Sequence, residues 1–436
     1  MKTDLEKILV PFSEEGVYER LQEIQDNIKI AGGFFAINDE RKAKVINIID
    51  TVSEHGNAAL AELTGKFDGV KLKPEELRIS KVDLEKAHKE IDAELLDTLR
   101  KAIANVRKYQ SEIFIGNKNT HPGIKYTPIN RVGICVPGAS APLPSTVIMT
   151  AVPAQVAGVK EIAIVSPPRH EGSIHPVILA VCCELGIEEV YRIGGAQAVA
   201  ALAFGTETIN GVDKIVGPGN QWVQSAKKEV FGIVGTDSIA GPSEVLIIAN
   251  DEANPTWVAA DMLSQAEHDP GSAIVLTDSQ KLAEQILAEL KKQVKELSRA
   301  DQTEKCLTNY SAICVLDTMD RVIEWANGCA TEHLEIQCGD KSRQIAERIE
   351  NAGAIFIGGY SPVAVGDYFA GPSHTLPTGT TARFSSALSS NDFIKASSII
   401  EYSQADLARD AEKIAKLAET EGLDAHAKSV KIRQQD

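Results

Sequence analysis

The chain has 436 residues, of which 43% are hydrophobic and 24% charged, a composition typical of a soluble protein with two or more cores. A formal charge of −16 argues against a nucleic-acid or anionic membrane surface, although a local site for an anionic cofactor is compatible with it. No apolar run is long enough to span a bilayer and the first residues have no apolar signal core, so we expect a cytoplasmic protein.

The first part of the chain has helical patterns. Residues 13–30 predict a short amphipathic helix, which we interpret as an N-terminal arm. Further helical patterns follow at residues 41–54 and 58–66, and a longer one extends from residue 82 to residue 106.

From residue 131 onwards, short apolar runs alternate with glycine-bearing turns and helices. This alternation is typical of βαβ units and parallel sheets. The sequence therefore predicts an α/β protein with two Rossmann-like doubly wound modules in tandem, followed by a charged helical tail that is broken at Gly422. The predicted strands lie at 134–136, 161–165, 190–193, 214–216, 245–248, 273–276, 312–316, 333–337 and 354–357.

Three glycine-bearing loops follow predicted strands of the first module, at residues 137–138, 194–197 and 217–220. None is a Gly-x-Gly-x-x-Gly fingerprint, and glycines in such places are often simple turn formers. Ligands of doubly wound sheets bind at the carboxyl ends of strands, where glycine permits close backbone approach and helix N-termini favour anions. Three such loops in one module favour a cofactor site.

The helix predicted at residues 255–268 ends in side chains of the metal-ligand type. Gln265 and His268 lie three residues apart, so both can reach one point from the last helical turn. The alternative is a solvated C-terminal turn, where the helix dipole favours a histidine. The seven cysteines show no Cys-x-x-Cys spacing, so a metal here would have nitrogen and oxygen ligands.

Glu332 and His333 open a predicted strand and suit proton transfer in two steps, because histidine titrates near neutral pH and a carboxylate can activate water. The alternative is a capping glutamate beside a core histidine. The glycine- and proline-rich loop 361–378 adds Asp367 and His374. Together with Gln265, His268 and one more histidine, for which His426 is a candidate, Asp367 would satisfy zinc or manganese.

Ten strings of this chain, in order and spacing, resemble histidinol dehydrogenase over nearly the whole length. The strings are VGICVPG (132–138), APLPST (141–146), GGAQA (194–198), GPGN (217–220), AGPSEV (240–245), LSQAEH (263–268), EHLEI (332–336), GD (366–367), GPSHTLPT (371–378) and ARFSS (382–386). This resemblance implies oxidation of L-histidinol to L-histidine through L-histidinal, with two NAD and one Zn²⁺ per site, at the end of histidine biosynthesis.

The family's residue roles carry over position by position. The resemblance implies Glu332 and His333 as catalytic residues, with His333 taking the alcohol proton and Glu332 activating the water that adds to the aldehyde. The implied ligands form three sets: Gln265, His268, Asp367 and His426 for zinc; Ser243, Gln265, His268, His333, Asp367, His374, Glu421 and His426 for the substrate; and Cys135, Gln197 and Asn220 for NAD.

The resemblance also implies an intertwined homodimer in which the tail histidine comes from the other subunit. We therefore predict an N-terminal helical arm (1–31), a discontinuous α/β domain for substrate and zinc (32–134 and 245–388), an inserted Rossmann-like NAD domain (135–244) and a C-terminal dimerisation tail (389–436).

Cys135 is one departure from the family pattern, which commonly has tyrosine there, and Ala139 replaces a glycine. The nearest alternative function is a related zinc- and NAD-dependent dehydrogenase acting on another alcohol, such as a sulfonated diol. Glu421 and His426 favour histidinol as the substrate, because its imidazole and amine groups must be held. A zinc-dependent hydrolase would leave the three glycine loops without a cofactor, and a non-catalytic dimeric binding protein would have no use for the Glu332–His333 pair.

Overall fold

The computed structural model describes residues 5–31, 39–118, 121–138, 142–268 and 270–434. Backbone contacts divide the chain into two units, which we describe separately. The first comprises Met1–Phe114 and Pro128–Phe393, and the second comprises Ile115–Thr127 and Ile394–Asp436. Among the described residues, no helix is long and apolar enough to cross a membrane.

Among the described residues, four α-helices precede the first large sheet, namely α1 (Glu14–Ala31), α2 (Asp39–Asp68), α3 (Lys81–Glu90) and α4 (Ala93–Ile113). The sequence predicted two helices where α2 is one helix with a kink at Gly56, whose backbone leaves the helical region at φ 51° and ψ −130°. The Glu207 carboxylate holds this kink by accepting a hydrogen bond from the main-chain N–H of Asn57 at 2.7 Å. The long helix predicted from residue 82 is instead α3 and α4, with Asp92 capping α4.

A five-stranded, fully parallel sheet follows, with strand order β5-β4-β3-β6-β7. Its strands are β3 (Arg131–Cys135), β4 (Glu161–Val165), β5 (Glu189–Tyr191), β6 (Lys214–Val216) and β7 (Gly235–Thr236), and its helices are α5 (Pro144–Ala157), α6 (Pro176–Glu184), α7 (Gly195–Phe204) and α8 (Gln221–Val230). β3 is the first strand of this sheet along the chain and lies in its middle, so the strand order reverses beside it and creates the crevice where doubly wound folds bind ligands.

Helices α2 and α3 pack against α7 and α6. Val52 and Leu60 of α2 accordingly share one buried core with Tyr191 and Leu202 of the five-stranded module. The predicted domain of residues 32–134 and 245–388 separates α2 from the inserted segment, whereas the observed core joins the two. The predicted domain boundaries remain a proposal.

A second parallel sheet has six strands in the order β1-β10-β9-β8-β11-β12. Its strands are β1 (Leu9–Val10), β8 (Ser243–Ala249), β9 (Gly271–Thr277), β10 (Ala312–Val315), β11 (His333–Gln337) and β12 (Ala354–Ile357), and its helices are α9 (Pro255–Ala266), α10 (Gln280–Gln293), α11 (Ala300–Tyr310), α12 (Met319–Cys329), α13 (Ser342–Ala346) and α14 (Val363–Tyr368). Buried apolar clusters cover both faces, which explains why these strands are near-continuous apolar runs.

The segment interpreted as an arm packs on this second sheet. β1 pairs with β10, and Val17, Leu21 and Ile24 of α1 are buried in the same cluster as Leu276.

The second unit contains a two-stranded sheet of β2 (Ile124–Pro128) and β13 (Ile394–Ser398), and the helices α15 (Gln404–Thr420) and α16 (Asp424–Lys431). Gly422 has a φ of 73° between the two helices, as expected for a glycine that ends a helix. The predicted break in the tail is confirmed.

Candidate functional site

A buried cluster of hydrogen-bonded groups lies at the amino ends of β8 and β11. Glu332 and His333 are 6% and 3% exposed. Glu332 Oε2 accepts hydrogen bonds of 2.8 Å from Ser243 Oγ and from the main-chain N–H of Glu244. The other oxygen, Oε1, accepts no hydrogen bond from any described residue. The carboxylate is therefore fixed at one oxygen and open at the other.

His333 is held by a hydrogen bond at one ring nitrogen, Nδ1. Nδ1 lies 2.9 Å from the main-chain oxygen of Glu244, which can only accept, so Nδ1 carries a proton and donates it. Nε2 makes no hydrogen bond and lies 3.5 Å from Asp367 Oδ1, while Nδ1 lies 3.4 Å from Glu332 Oε2. Burial lowers the pKa of His333, but the charges of Glu332 and Asp367 outweigh it and raise the pKa well above its ordinary value. The two carboxylates therefore stabilise the protonated form of the ring.

His374 belongs to the same cluster. Its Nδ1 lies 3.2 Å from the main-chain oxygen of Asp367, again in the position of a donor. Burial lowers its pKa, and the nearby Asp367 opposes this only in part. A neutral imidazole is suited to bind a substrate or a metal rather than to carry charge.

Gln265 and His268 occupy the C-terminal end of α9. The helix ends at Ala266, two residues earlier than the predicted end, and His268 follows on an exposed turn. A Cβ atom at Gly271, the first residue of β9, would overlap the main-chain oxygen of Gln265 and lie 3.4 Å from the His268 Cβ. The glycine therefore lets the strand pass close under the helix end.

The donor chemistry fits a metal of the zinc type. The Gln265 amide is buried and its Nε2 has no partner, an unsatisfied group that a ligand would complete, since amide orientation is assigned from such contacts. Within the described part of the chain, however, no group of three or more His, Cys, Asp or Glu side chains is gathered as a metal cluster. Nor do Gln265 and His268 form a hydrogen bond or ion pair with Asp367 in that part.

Glu421 and His426 lie in the second unit. With Leu417 and Leu423 they line a surface groove of about 540 Å³ formed by α15 and α16.

Two carboxyl groups, those of the buried Glu335 and the half-buried Asp261, lie near the cluster of Glu332 and His333. Gln337 Nε2 donates to Asp261 Oδ2 at 2.7 Å and to Glu335 Oε2 at 3.0 Å, and Glu335 Oε1 accepts from the main-chain N–H of Val363 at 2.9 Å. Burial, followed by the charge of Asp261, raises the pKa of Glu335 to about 8. The contacts connect α9, β11 and α14, which carry Gln265, His333 and Asp367.

A second site is a cavity of about 880 Å³ at the carboxyl ends of the five-stranded sheet. Cys135, Gln197 and Asn220 all line it, together with Gly138, Gly195 and Gly219 of the three predicted loops. Residues 139–141, which include Ala139, lie outside the described residues.

The conformation of the loop after β6 depends on Gly217 and on Asn220, which caps α8. Gly217 has a φ of 105°, and a Cβ atom there would overlap the main-chain oxygen of Cys135. Asn220 Oδ1 caps α8 by accepting from the main-chain N–H groups of Trp222 and Val223 at 3.0 and 3.3 Å. Burial raises the pKa of the Cys135 thiol to about 12, so the thiol is neutral. The N-termini of α7 and α8 both lie at this cavity and favour anions.

Two features of these sites were missed in the sequence. Glu244 contacts both Glu332 and His333 through its main chain, which no side-chain pattern can indicate. Helix α2 forms a wall of the cavity that includes Phe67 and Asp68. The sequence shows that α2 has an apolar face, but it does not show which element packs against that face.

Comparison with known proteins gives one consistent result. The family model described as histidinol dehydrogenase matches residues 36–434. A histidinol dehydrogenase of Synechococcus sp. is 48% identical over 402 residues, covering 91% of this chain and 92% of the relative, and that of Bacillus subtilis is 47% identical over 403 residues, covering 91% and 94%. The crystal structure of histidinol dehydrogenase from Elizabethkingia anophelis superposes with a TM-score of 0.84 at 36% identity, covering 90% of this chain and 92% of that one.

Proposed function

The chain belongs to the histidinol dehydrogenase family, a family of oxidoreductases, and on this premise we propose that it oxidises L-histidinol to L-histidine through L-histidinal. The reaction would use two NAD and one Zn²⁺ per site and complete histidine biosynthesis. The observation that carries the proposal is the buried Glu332–His333 pair, with Nδ1 of the imidazole 3.4 Å from the carboxylate.

The first proton transfer is assigned to His333. Its Nδ1–H is committed to the Glu244 main-chain oxygen, so the free Nε2 takes the proton of the substrate alcohol. The carboxylates of Glu332 and Asp367 stabilise the imidazolium that forms, as a carboxylate beside a catalytic histidine does in other proton-transfer sites. NAD, when bound, would accept the hydride that leaves the alcohol carbon.

The second step is assigned to Glu332. Ser243 and the Glu244 main chain fix Oε2, which leaves Oε1 to remove a proton from the water that adds to the aldehyde. Burial of both residues keeps bulk water from the intermediate.

Cofactor binding is assigned to both sites. Cys135, Gln197 and Asn220 would contact NAD in the cavity, and Gln265, His268, Asp367 and His426 would hold the metal. Zinc, when bound, would orient the substrate by its imidazole and amine. Ser243, His333, His374 and Glu421 would complete the substrate site.

We further propose that the protein acts in the cytoplasm as a homodimer in which the tail carrying Glu421 and His426 is exchanged between subunits. In support of a binding role for the tail, Glu421 and His426 line one surface groove of α15 and α16.

The test is the number of NADH molecules formed per L-histidinol consumed, measured with zinc-loaded protein and again after chelation. Two NADH per substrate, lost on chelation and restored by zinc, are expected. If histidinol is not turned over although NAD and zinc bind, the proposal is wrong and a related dehydrogenase acting on another alcohol takes its place.

A further inference from the structure

The five-stranded sheet has the strand arrangement of a dinucleotide-binding fold. β3 is its first strand along the chain, β4 lies on one side of it and β6 on the other. In such folds the turn after the first strand faces the pyrophosphate, and a carboxylate after the second strand accepts hydrogen bonds from the adenosine ribose. Here β4 is followed by Ser166, Pro167, Pro168 and Arg169, so the second strand supplies no carboxylate.

A carboxylate reaches the same cavity from outside the sheet. Asp68 is the last residue of α2 and lines the cavity together with Arg169. Its side chain is only 4% exposed, and its Oδ1 accepts a hydrogen bond of 3.0 Å from Arg169 Nε. Oδ2 accepts no hydrogen bond from any described residue. A buried carboxylate with an open oxygen on a cavity wall is completed by a donor on a ligand.

The other charged residues of α2 that line the cavity are exposed. Glu40 and Lys44 pair with each other one helical turn apart, and both side chains are more than half exposed. Among the described residues that line the cavity, Asp68 is thus the only buried carboxylate.

We propose that Asp68 replaces the missing strand-end carboxylate and accepts a hydrogen bond from the adenosine ribose of NAD, so that it selects NAD over NADP. This inference rests on the proposed NAD-dependent function. The 2′-phosphate of NADP would bring negative charge against the buried Asp68 carboxylate, whereas a 2′-hydroxyl donates to it. Arg169, whose Nε is committed to Asp68, holds the carboxylate in place.

The experiment compares the binding of NAD and of NADP to the full-length protein by isothermal titration calorimetry, without alcohol substrate. We expect Asp68→Asn to weaken NAD binding about tenfold, because a hydrogen bond to a charged group is lost. NADP binding should be retained or improved, so the ratio of the NADP dissociation constant to the NAD dissociation constant should fall tenfold or more.

Two variants serve as controls. Glu40→Gln removes a carboxylate of the same helix and the same cavity, but an exposed one, and should leave the preference unchanged. Arg169→Met removes the ion pair while keeping the Asp68 carboxylate, and should retain most of the preference for NAD.

An unchanged preference in Asp68→Asn overturns the inference. A parallel fall in the affinity for both dinucleotides also overturns it, because Asp68 would then merely position Arg169. In both cases the proposed function stands if the wild-type protein still forms two NADH per histidinol. If the wild-type protein does not bind NAD at all, the cofactor assignment of the proposed function fails and the inference fails with it.

Discussion

The two parallel sheets place their ligand-type residues at opposite edges. In the five-stranded sheet, Cys135 ends β3, and Gln197 and Asn220 follow the ends of β5 and β6, so the cavity lies at the carboxyl edge. In the six-stranded sheet, Ser243 and His333 are the first residues of β8 and β11, so the reactive cluster lies at the amino edge. The proposed sites therefore follow the rule that ligands bind at carboxyl ends in one sheet and depart from it in the other.

The two edges differ in electrostatics because they face opposite ends of helices. The N-termini of α7 and α8 bring partial positive charge to the cavity, which favours a dinucleotide's phosphates. The C-termini of α9 and α12 lie next to Gln265 and Glu332 and bring partial negative charge, which favours a cation such as a metal or an imidazolium. Substitutions at each edge test whether the two edges are separate in function.

The largest expected effect is at the amino edge. His333→Asn should lower the rate of alcohol oxidation about a thousandfold, the typical contribution of a general base, without changing NAD affinity by more than about twofold. Stopped-flow measurement of the first NADH and titration of NAD separate the two quantities. Glu332→Gln should instead slow the oxidation of added L-histidinal more than that of L-histidinol.

The matched control is His88→Asn, because His88 also pairs with a glutamate, Glu184, at 2.6 Å but lies outside both sites. It should be fully active. A large loss of NAD affinity in His333→Asn would contradict the separation of the two edges.

At the carboxyl edge, Gly217→Ala should raise the KM for NAD roughly tenfold or more while kcat changes little. The alanine Cβ would overlap the Cys135 main-chain oxygen at a φ of 105°, so the loop before Asn220 must shift. Gly186→Ala has a positive φ with open space around it and should leave KM unchanged. Equal effects of the two substitutions on the KM for NAD would contradict a role for the position of this loop in NAD binding.

The acidic support of the amino edge predicts a dependence of stability on pH. Because the pKa of Glu335 is raised from 4.5 to about 8 in the folded state, the unfolded chain loses this proton first. Stability should therefore fall as pH rises from about 5 to 8, and Glu335→Gln should reduce this fall by a difference on the order of 3 kcal/mol at pH 8. Part of the fall should remain, because burial also raises the pKa of Glu244, to about 7.

Urea unfolding at pH 5 and pH 8 measures this difference. Glu324→Gln, at an exposed position paired with Arg321, should behave as wild type. A wild-type stability that does not change between the two pH values would contradict the assignment.

The smallest effect is expected at Cys135, where the family commonly has tyrosine. Cys135→Ala should change NAD affinity by less than about threefold, because the neutral buried thiol offers only apolar contact and its main-chain oxygen remains beside Gly217. Cys182→Ala, a buried thiol outside the cavity, matches it in lost volume. A tenfold loss of NAD affinity confined to Cys135→Ala would assign the thiol a specific contact.

Much of the carboxyl edge could be predicted from the sequence. Gln197 and Asn220 each follow a short apolar run and a glycine turn, and strands of one parallel sheet bring such turns to one edge. The pairing of Glu332 with His333 was likewise predictable, because the two residues are adjacent. The predicted glycine- and proline-rich loop 361–378 already offered Asp367, which the structure places on α14 beside His333.

Other features depend on long-range packing. A helical periodicity shows which face of α2 is buried but not that α7 is its partner, so the position of Asp68 in the cavity was not predictable. The kink at Gly56 is held by Glu207, 151 residues away. The sequence predicted that Glu332 and His333 open a strand, but only the tertiary structure shows that Ser243, the first residue of β8, lies beside them.

The short helix α14 has a consequence for motion in the site. Its first residue, Val363, is bound through the main-chain N–H to Glu335, and near its end Asp367 lies 3.5 Å from His333, two residues earlier on the same strand. The helix is hydrogen-bonded to β11 at its first residue and ion-paired with the same strand near its end. Contacts at both ends restrain its motion, so we do not expect it to open as a hinged lid. Its amide hydrogens should exchange slowly, and admission of the substrate should depend on segments other than this one.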